Sequence, residues 1–393
     1  MTVLAFALAI GGVLLALTIH LTMPTFALMA VRLVASELSA YLVVIELVAL
    51  VLALVALRDA ARMAVLAIAA VGLVLATLPL ARISTAAATV DAALDAIGAP
   101  PAREPAFDAA RLFTGLRAPE VRHSDDLVFR TVSGTTLKLD RYDGVGAGPH
   151  PALVVVHGGS WRNGDKGSGS IDPTVANRIF AGQGITVYDI QYRLVPAAIF
   201  PAQLEDVLCA LGFIRAHAAA DGVDPERVAL LGRSAGAHLA LLAAYRAGHD
   251  PLPDGCARPA TVRGVISLYG PTDLARGYRM PAEPDLIGGS DAIASFLGGT
   301  PDMVPGSYAL ASPQNALDHP VPPTLLIHGD ADQVVLPYHS TSLAAALSQH
   351  GDPVAIVELP WSGHGFDAIS WGPGGQLALA AMRRFLALTL AAH

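Results

Sequence analysis

A chain of 393 residues is too long for one average domain and too short for three, so it divides into a small module and a larger one. It is 53% apolar and 15% charged, yet from about Pro105 onward it has the balance of an ordinary soluble protein, so the excess apolarity lies near the N-terminus. A net charge of −8 with scattered basic residues lacks the electrostatic footprint of a nucleic-acid binder, and no nucleic-acid partner is expected.

Met1 to Met23 is apolar apart from threonine and His20, long enough to cross a hydrocarbon core of about 30 Å as a helix. Leu38 to Leu57 and Met63 to Ala81 repeat the pattern across the polar stretch Arg58 to Arg62, so three transmembrane helices are expected within residues 1–82, with the lipid bilayer as partner. A cleaved signal peptide accounts for the first stretch only, because its start carries no Lys or Arg and the other two would remain. Glu46 falls inside the second span, where a carboxyl either serves a function or faces a neighbouring helix in its protonated form.

Arg58 and Arg62 pull their loop toward the cytoplasm, which with three spans places the larger domain outside the cell membrane; Arg32 and Arg82 pull the other way. Residues 83–126 read as an Ala- and Pro-rich connector with a short amphipathic helix. Cys209 fits the apolar pattern of a helix as a small core residue, Cys256 lies in a Pro/Gly-rich loop, and two cysteines make neither a disulfide framework nor a structural zinc site.

From residue 127 to the C-terminus the pattern becomes that of a catalytic domain. Two alternating strands, Leu127 to Val132 and Thr136 to Tyr142, precede short apolar runs at Ala152 to Val156, Ile185 to Ile190, Arg227 to Leu231, Val265 to Leu268, Thr324 to Ile327 and Val354 to Leu359. Helix-length stretches separate these runs, which predicts an α/β fold with a mainly parallel sheet covered on both faces and functional loops at the strand C-terminal ends. Residues 275–322 are Pro- and Gly-rich with at most one short helix, near Asp291 to Leu297, and suit a lid.

Gly232-Arg233-Ser234-Ala235-Gly236 follows the strand RVALL and opens a long helix, the strand–turn–helix context of a nucleophile elbow. Ser234 is therefore the candidate nucleophile, its flanking glycines avoiding Cβ clashes at the sharp turn. His157-Gly158-Gly159-Ser160-Trp161 follows the strand ALVVV, so the backbone N–H groups of Gly158, Gly159 and Ala235 are candidate oxyanion donors, and Ser160 and Trp161 candidate substrate contacts.

Downstream, the strand TLLI leads into a loop with Asp330 and Asp332, and the strand ending at Leu359 leads into Ser362-Gly363-His364-Gly365. Asp332 is the preferred orienting acid, Asp330 the reserve, and His364 the general base. Tyr192, Arg193 and Asp206 read as polar braces for the oxyanion loop, and His238 as a buried packing residue. The chemistry needs no metal or organic cofactor.

The ordered segments HGGSW, QYRLVPAAIFPAQLEDV, GRSAGAHLA, LYGPTDL, ASPQNAL, LLIHGDADQVV and GHGF resemble the bacterial esterase group of the α/β-hydrolases, near the hormone-sensitive-lipase-like and the feruloyl and acetylxylan esterase-like families. The resemblance covers residues 127 to the C-terminus and implies a serine hydrolase of carboxylic esters with Ser234, Asp332 and His364 as its triad. Ser160 stands where the lipase-like group has a third glycine, and HGG followed by a non-glycine and Trp also resembles kynurenine formamidases. An amidase of that kind or a serine peptidase is thus the alternative, and a silent hydrolase domain serving as a binding module is the alternative outside catalysis.

Overall fold

The computed structural model describes residues 1–168 and 174–392. Eight strands, β1 (His123–Val132), β2 (Thr135–Tyr142), β3 (His150–Val156), β4 (Thr186–Ile190), β5 (Val223–Arg233), β6 (Val262–Leu268), β7 (Thr324–Gly329) and β8 (Val354–Leu359), form one sheet in the order β1-β2-β4-β3-β5-β6-β7-β8. Each predicted run falls within one of them, apart from Ile185, which directly precedes β4. The β1–β2 and β2–β4 pairs are antiparallel; every pair from β4 to β8 is parallel.

In chain order the helices are α1 (Thr2–Ile19), α2 (Phe26–Glu37), α3 (Ser39–Ala56), α4 (Asp59–Ala81), α5 (Ile83–Ala96), α6 (Arg111–Thr114), α7 (Thr174–Gly182), α8 (Ala202–Asp221), α9 (Ala235–Arg246), α10 (Leu274–Arg279), α11 (Gly289–Leu297), α12 (Pro305–Ala311), α13 (Tyr338–His350) and α14 (Pro373–Thr389). Because side chains alternate along a strand, β3 feeds two cores. Val154 and Val156 pack in the layer that includes α8 and α9, and Leu153 and Val155 in the layer of α5, α7 and α14. Burial on both faces explains why the central strands read as unbroken apolar runs.

Three N-terminal helical stretches are long and apolar enough to cross a membrane: Thr2–Ile19, Ser39–Ala56 and Asp59–Ala96. They meet along small residues, Ala5, Ala9, Gly12 and Ala16 on α1 against Ala49 and Ala53 on α3 and Ala69, Gly72 and Ala76 on α4. Small side chains let backbones approach closely, the packing that suits helices in lipid. Glu46 is buried inside this bundle, its carboxyl filling the notches that Gly12 and Gly72 leave; a Cβ at either glycine would overlap it.

Four features depart from the sequence reading. The chain between the first two long apolar helices, for which the sequence carried no expectation, forms α2, with the Thr25 side chain accepting from Leu28 N–H at its start. The 83–126 segment carries the 14-residue helix α5, fastened by Arg384, which donates to Asp91, Asp95 and the Pro100 carbonyl. The Ala275 to Pro322 segment holds more than one helix: α10, capped by Asp273 accepting from Arg276 N–H at 2.9 Å, α11, and α12, which begins on a proline. Pro and Gly there start and stop short helices rather than prevent them.

The last departure is chemical: Cys209 on α8 and Cys256 are joined in a disulfide, with Cα atoms 5.1 Å apart. The loop bearing Cys256 lies against α8, where Ala260 N–H donates to the Leu211 carbonyl at 3.1 Å. A separation of 47 residues hid that proximity.

Candidate active site

Three strands of the parallel half of the sheet, β5, β7 and β8, end in the loops that matter. β5 ends at Arg233, one residue before Ser234; β7 ends at Gly329, three before Asp332; β8 ends at Leu359, five before His364. Ser234 turns the chain at φ 53°, ψ −121°, a conformation few non-glycine residues adopt. The turn is tight enough that a Cβ on Gly232 would overlap the Gly236 carbonyl, and one on Gly236 the carbonyls of Val156 and His157. Both glycines are there for space, since neither has positive φ.

The structure brings Ser234, His364 and Asp332 into one chain of hydrogen bonds. Ser234 Oγ lies 3.0 Å from His364 Nε2, and His364 Nδ1 lies 2.7 Å from Asp332 Oδ2. A carboxylate only accepts, so Nδ1 carries the ring proton and Nε2 is free to take one from the serine. Asp332 Oδ1 accepts from Val334 N–H at 2.8 Å and Val335 N–H at 3.0 Å. Burial works to raise the Asp332 pKa, but His364 and His328 beside it prevail and hold it well below the usual carboxylate range. Asp330 stands apart, accepting from Trp361 N–H at 2.7 Å.

Gly158 abuts the serine: a Cβ on it would lie 2.9 Å from the Arg233 carbonyl and 3.2 Å from Ser234 Cβ. Gly159 adopts φ 116°, closed to other residues, where a side chain would also overlap the Asn163 carbonyl. His157 stacks on Tyr192 with ring centroids 4.3 Å apart, and the Tyr192 hydroxyl donates to the His157 carbonyl at 3.0 Å. Burial lowers the His157 pKa. Arg193 donates to Asp206 through both its backbone N–H (2.9 Å) and Nε (2.8 Å), while Arg130 takes the other carboxylate oxygen, so Arg193 and Asp206 tie the chain after β4 to α8 and β1, and it is Tyr192 that bonds the oxyanion loop itself.

Ser160, Trp161, Ser234 and Ala235 line a cleft closed by residues from α10, α11 and the 334–339 segment. Trp161 stacks on Phe296 at 4.3 Å, and His238 meets its edge at 5.2 Å, buried and donating Nε2–H to the Ala311 carbonyl. The cleft walls are mostly apolar, including Met280, Ile287, Ile293, Val334 and Val335. Among the described residues no cluster of three or more His, Cys, Asp or Glu could hold a metal ion.

Two groups of residues around the site had no role there in the sequence reading. Beneath the Ser234–His364 pair, Arg233 and Tyr269 both donate to buried Asp367. Arg233 is the variable position of the elbow and Asp367 follows His364 by three, so the signal lay inside motifs already marked. On the outer side, α2 touches both loops: Arg32 donates to the Ala331 carbonyl (3.1 Å) and Gln333 Oε1 (2.7 Å), flanking Asp332. Buried Glu37 accepts from Ser362 Oγ–H (3.0 Å) and Gly374 N–H (2.8 Å). Arg82 lies over the Trp361 ring, 4.7 Å from its centroid.

Known proteins resemble the larger part of this chain. The profile of the BD-FAE family matches residues 142–347, just over half the chain. Esterase LipC of Mycobacterium tuberculosis is 30% identical over 59% of this chain and 57% of its own, and the probable carboxylic ester hydrolase LipM of that organism 28% identical over 61% and 54%. The chain spans about half the length of the curated relatives it matches.

Among solved structures, a truncated carbohydrate esterase from gut microbiota superposes with TM-score 0.57 at 23% identity, over 70% of this chain and 99% of that one. The esterase Est2 of Thermogutta terrifontis gives TM-score 0.53 at 23% identity, over 70% and 97%. At that identity the likeness speaks for the fold, which is the α/β-hydrolase fold. By the profile match and the fold together, this chain belongs to the BD-FAE family of α/β-hydrolases.

Proposed function

We propose that the protein is a membrane-anchored serine hydrolase that cleaves carboxylic esters of small to medium acyl chain. The observation that carries this reading is the Ser234–His364–Asp332 hydrogen-bonded chain opening onto an apolar cleft. Ser234 Oγ attacks the ester carbonyl as His364 Nε2 takes its proton, and Asp332 stabilises the imidazolium that results. The backbone N–H groups of Gly158, Gly159 and Ala235 are assigned to the oxyanion, each such donor contributing typically ~3 kcal/mol to transition-state stabilisation. The alcohol leaves with the proton from His364, and water, deprotonated by the same histidine, releases the acid and regenerates Ser234. Ser160 and Trp161, which line the cleft, are assigned to substrate contact.

In this reading residues 1–82 anchor the enzyme and residues 127–393 form the catalytic domain. We assign the catalytic domain to the extracytoplasmic side. Arg32 and Arg82, which opposed that orientation in the sequence, are engaged with the catalytic domain, and the Cys209–Cys256 disulfide suits an oxidising compartment.

The test is side-by-side turnover of p-nitrophenyl acetate, p-nitrophenyl octanoate and N-formylkynurenine by the full chain in detergent. Hydrolysis of the esters is expected. Cleavage of N-formylkynurenine without ester turnover would assign the site to an amidase instead.

A further inference from the structure

Helix α2 is built inside out. Its polar residues Arg32, Ser36 and Glu37 face the protein, while Phe26, Leu28, Val31 and Val34 are exposed, Phe26 by 56% and Val34 by 45%. No charged residue lies on the outer side of this helix. A contiguous apolar face of this kind is unfavourable in water and at home at the boundary of headgroups and acyl chains. Its place in the chain agrees: α2 joins the C-terminal end of α1 to the N-terminal end of α3, two stretches able to span a bilayer. The face is therefore continuous with the lipid-facing surface of the anchor.

The same helix grips the rim of the cleft. Arg32 and the Met23 N–H both donate to Gln333 Oε1, at 2.7 and 3.1 Å, and the next three residues, Val334, Val335 and Leu336, line the cleft. The cleft wall thus begins at the residue directly after the one that α2 holds. Met280 also lines the cleft and is 55% exposed, which gives the rim an apolar lip.

We propose that the substrate is an amphiphilic ester dissolved in the bilayer, which reaches Ser234 by entering the cleft beside α2 at the membrane surface. This rests on the ester-hydrolase reading above. Such a molecule keeps its long hydrocarbon arm in the lipid and lifts only the ester group and its short arm into the cleft. Cleavage is the same acyl C–O scission, with the acyl group passing through Ser234 to water and the alcohol taking the proton from His364. The bilayer then supplies binding that the cleft itself does not need to provide.

The experiment uses the full chain in phosphatidylcholine vesicles, with cetyl acetate dissolved in the bilayer and p-nitrophenyl acetate in the aqueous phase. Cetyl acetate turnover should rise with its mole fraction in the membrane at constant bulk amount. Val31→Asp should lower the ratio of cetyl acetate to p-nitrophenyl acetate turnover about tenfold, the effect of losing ~1.4 kcal/mol of interfacial contact. Hydrolysis of p-nitrophenyl acetate with cetyl acetate untouched would overturn the inference and leave the ester reading standing, as would an unchanged ratio in the variant. Failure of wild type on both esters would remove the ester reading itself.

Discussion

Glu37, the last residue of α2, and Ser362, two residues before His364, share a buried hydrogen bond of 3.0 Å. The other Glu37 carboxylate oxygen accepts from Gly374 N–H at 2.8 Å, at the start of α14. A helix lying between two apolar spans is thereby fastened to the loop that carries the proposed general base. Burial raises the Glu37 pKa to about 7, against the opposing effect of the Gly374 and Ser362 hydrogen bonds.

That shift gives stability a pH dependence with a definite sign. The folded-state pKa lies above the ordinary carboxylate value, so the contribution is fully present below about pH 4.5 and is lost as pH rises to about 7. Asp189, raised by burial to about 6, acts in the same direction. The thermal midpoint of the full chain in detergent should fall across this window, and Glu37→Gln should flatten part of the slope. An identical slope in the variant would show that Glu37 is not responsible.

Asp332 behaves oppositely. Its pKa is held below the usual range, so its stabilising charge is present above the ordinary carboxylate value and is lost only as pH falls below it. Asp332→Asn should lower kcat by ~10³- to 10⁴-fold at neutral pH. Asp330→Asn, whose carboxylate meets the Trp361 backbone rather than the histidine, should cost far less. Equal losses in the two variants would reassign the acid.

Gly236→Ala tests the elbow. A methyl there meets the Val156 and His157 carbonyls, and overpacking of this kind typically costs ~1–3 kcal/mol. Loss of ester turnover and a lower thermal midpoint are expected together; wild-type values for both would mean that the turn is looser than described.

The Arg233–Asp367 pair predicts a larger penalty. Both side chains are under a tenth exposed, and removing one partner of a buried pair commonly costs ~3–5 kcal/mol. Asp367→Leu should be strongly destabilised by calorimetry, whereas the double variant Arg233→Met/Asp367→Leu should recover part of the loss. No recovery would show that packing, not charge, is what matters there.

Compartment is tested by the cysteines. Protein isolated from its membrane without reductant should resist thiol alkylation at Cys209 and Cys256 until a reductant is added. Immediate labelling would place the catalytic domain in a reducing compartment and contradict the orientation assigned here.

The sequence made the sheet and the Ser234 elbow legible because strand burial and the turn's steric demands act locally, over five to ten residues. Asp332 could be preferred over Asp330 in the sequence, but only the fold shows it directed at His364. What stayed hidden depends on long-range contact. Arg32 entered the sequence reading only as a charge bearing on orientation and Glu37 not at all, since their partners Gln333 and Ser362 lie some three hundred residues away, and the Cys209–Cys256 bond depends on a loop folding back over α8. The helices α10 and α12 were obscured because Pro and Gly mark both loops and helix ends.

The most direct test of the central claim is active-site labelling of the full chain with a fluorophosphonate, comparing wild type with Ser234→Ala. The wild-type enzyme should take up one label, with parallel loss of p-nitrophenyl acetate turnover, and the variant should take up none. A variant that still labels and still turns over ester would place the nucleophile elsewhere.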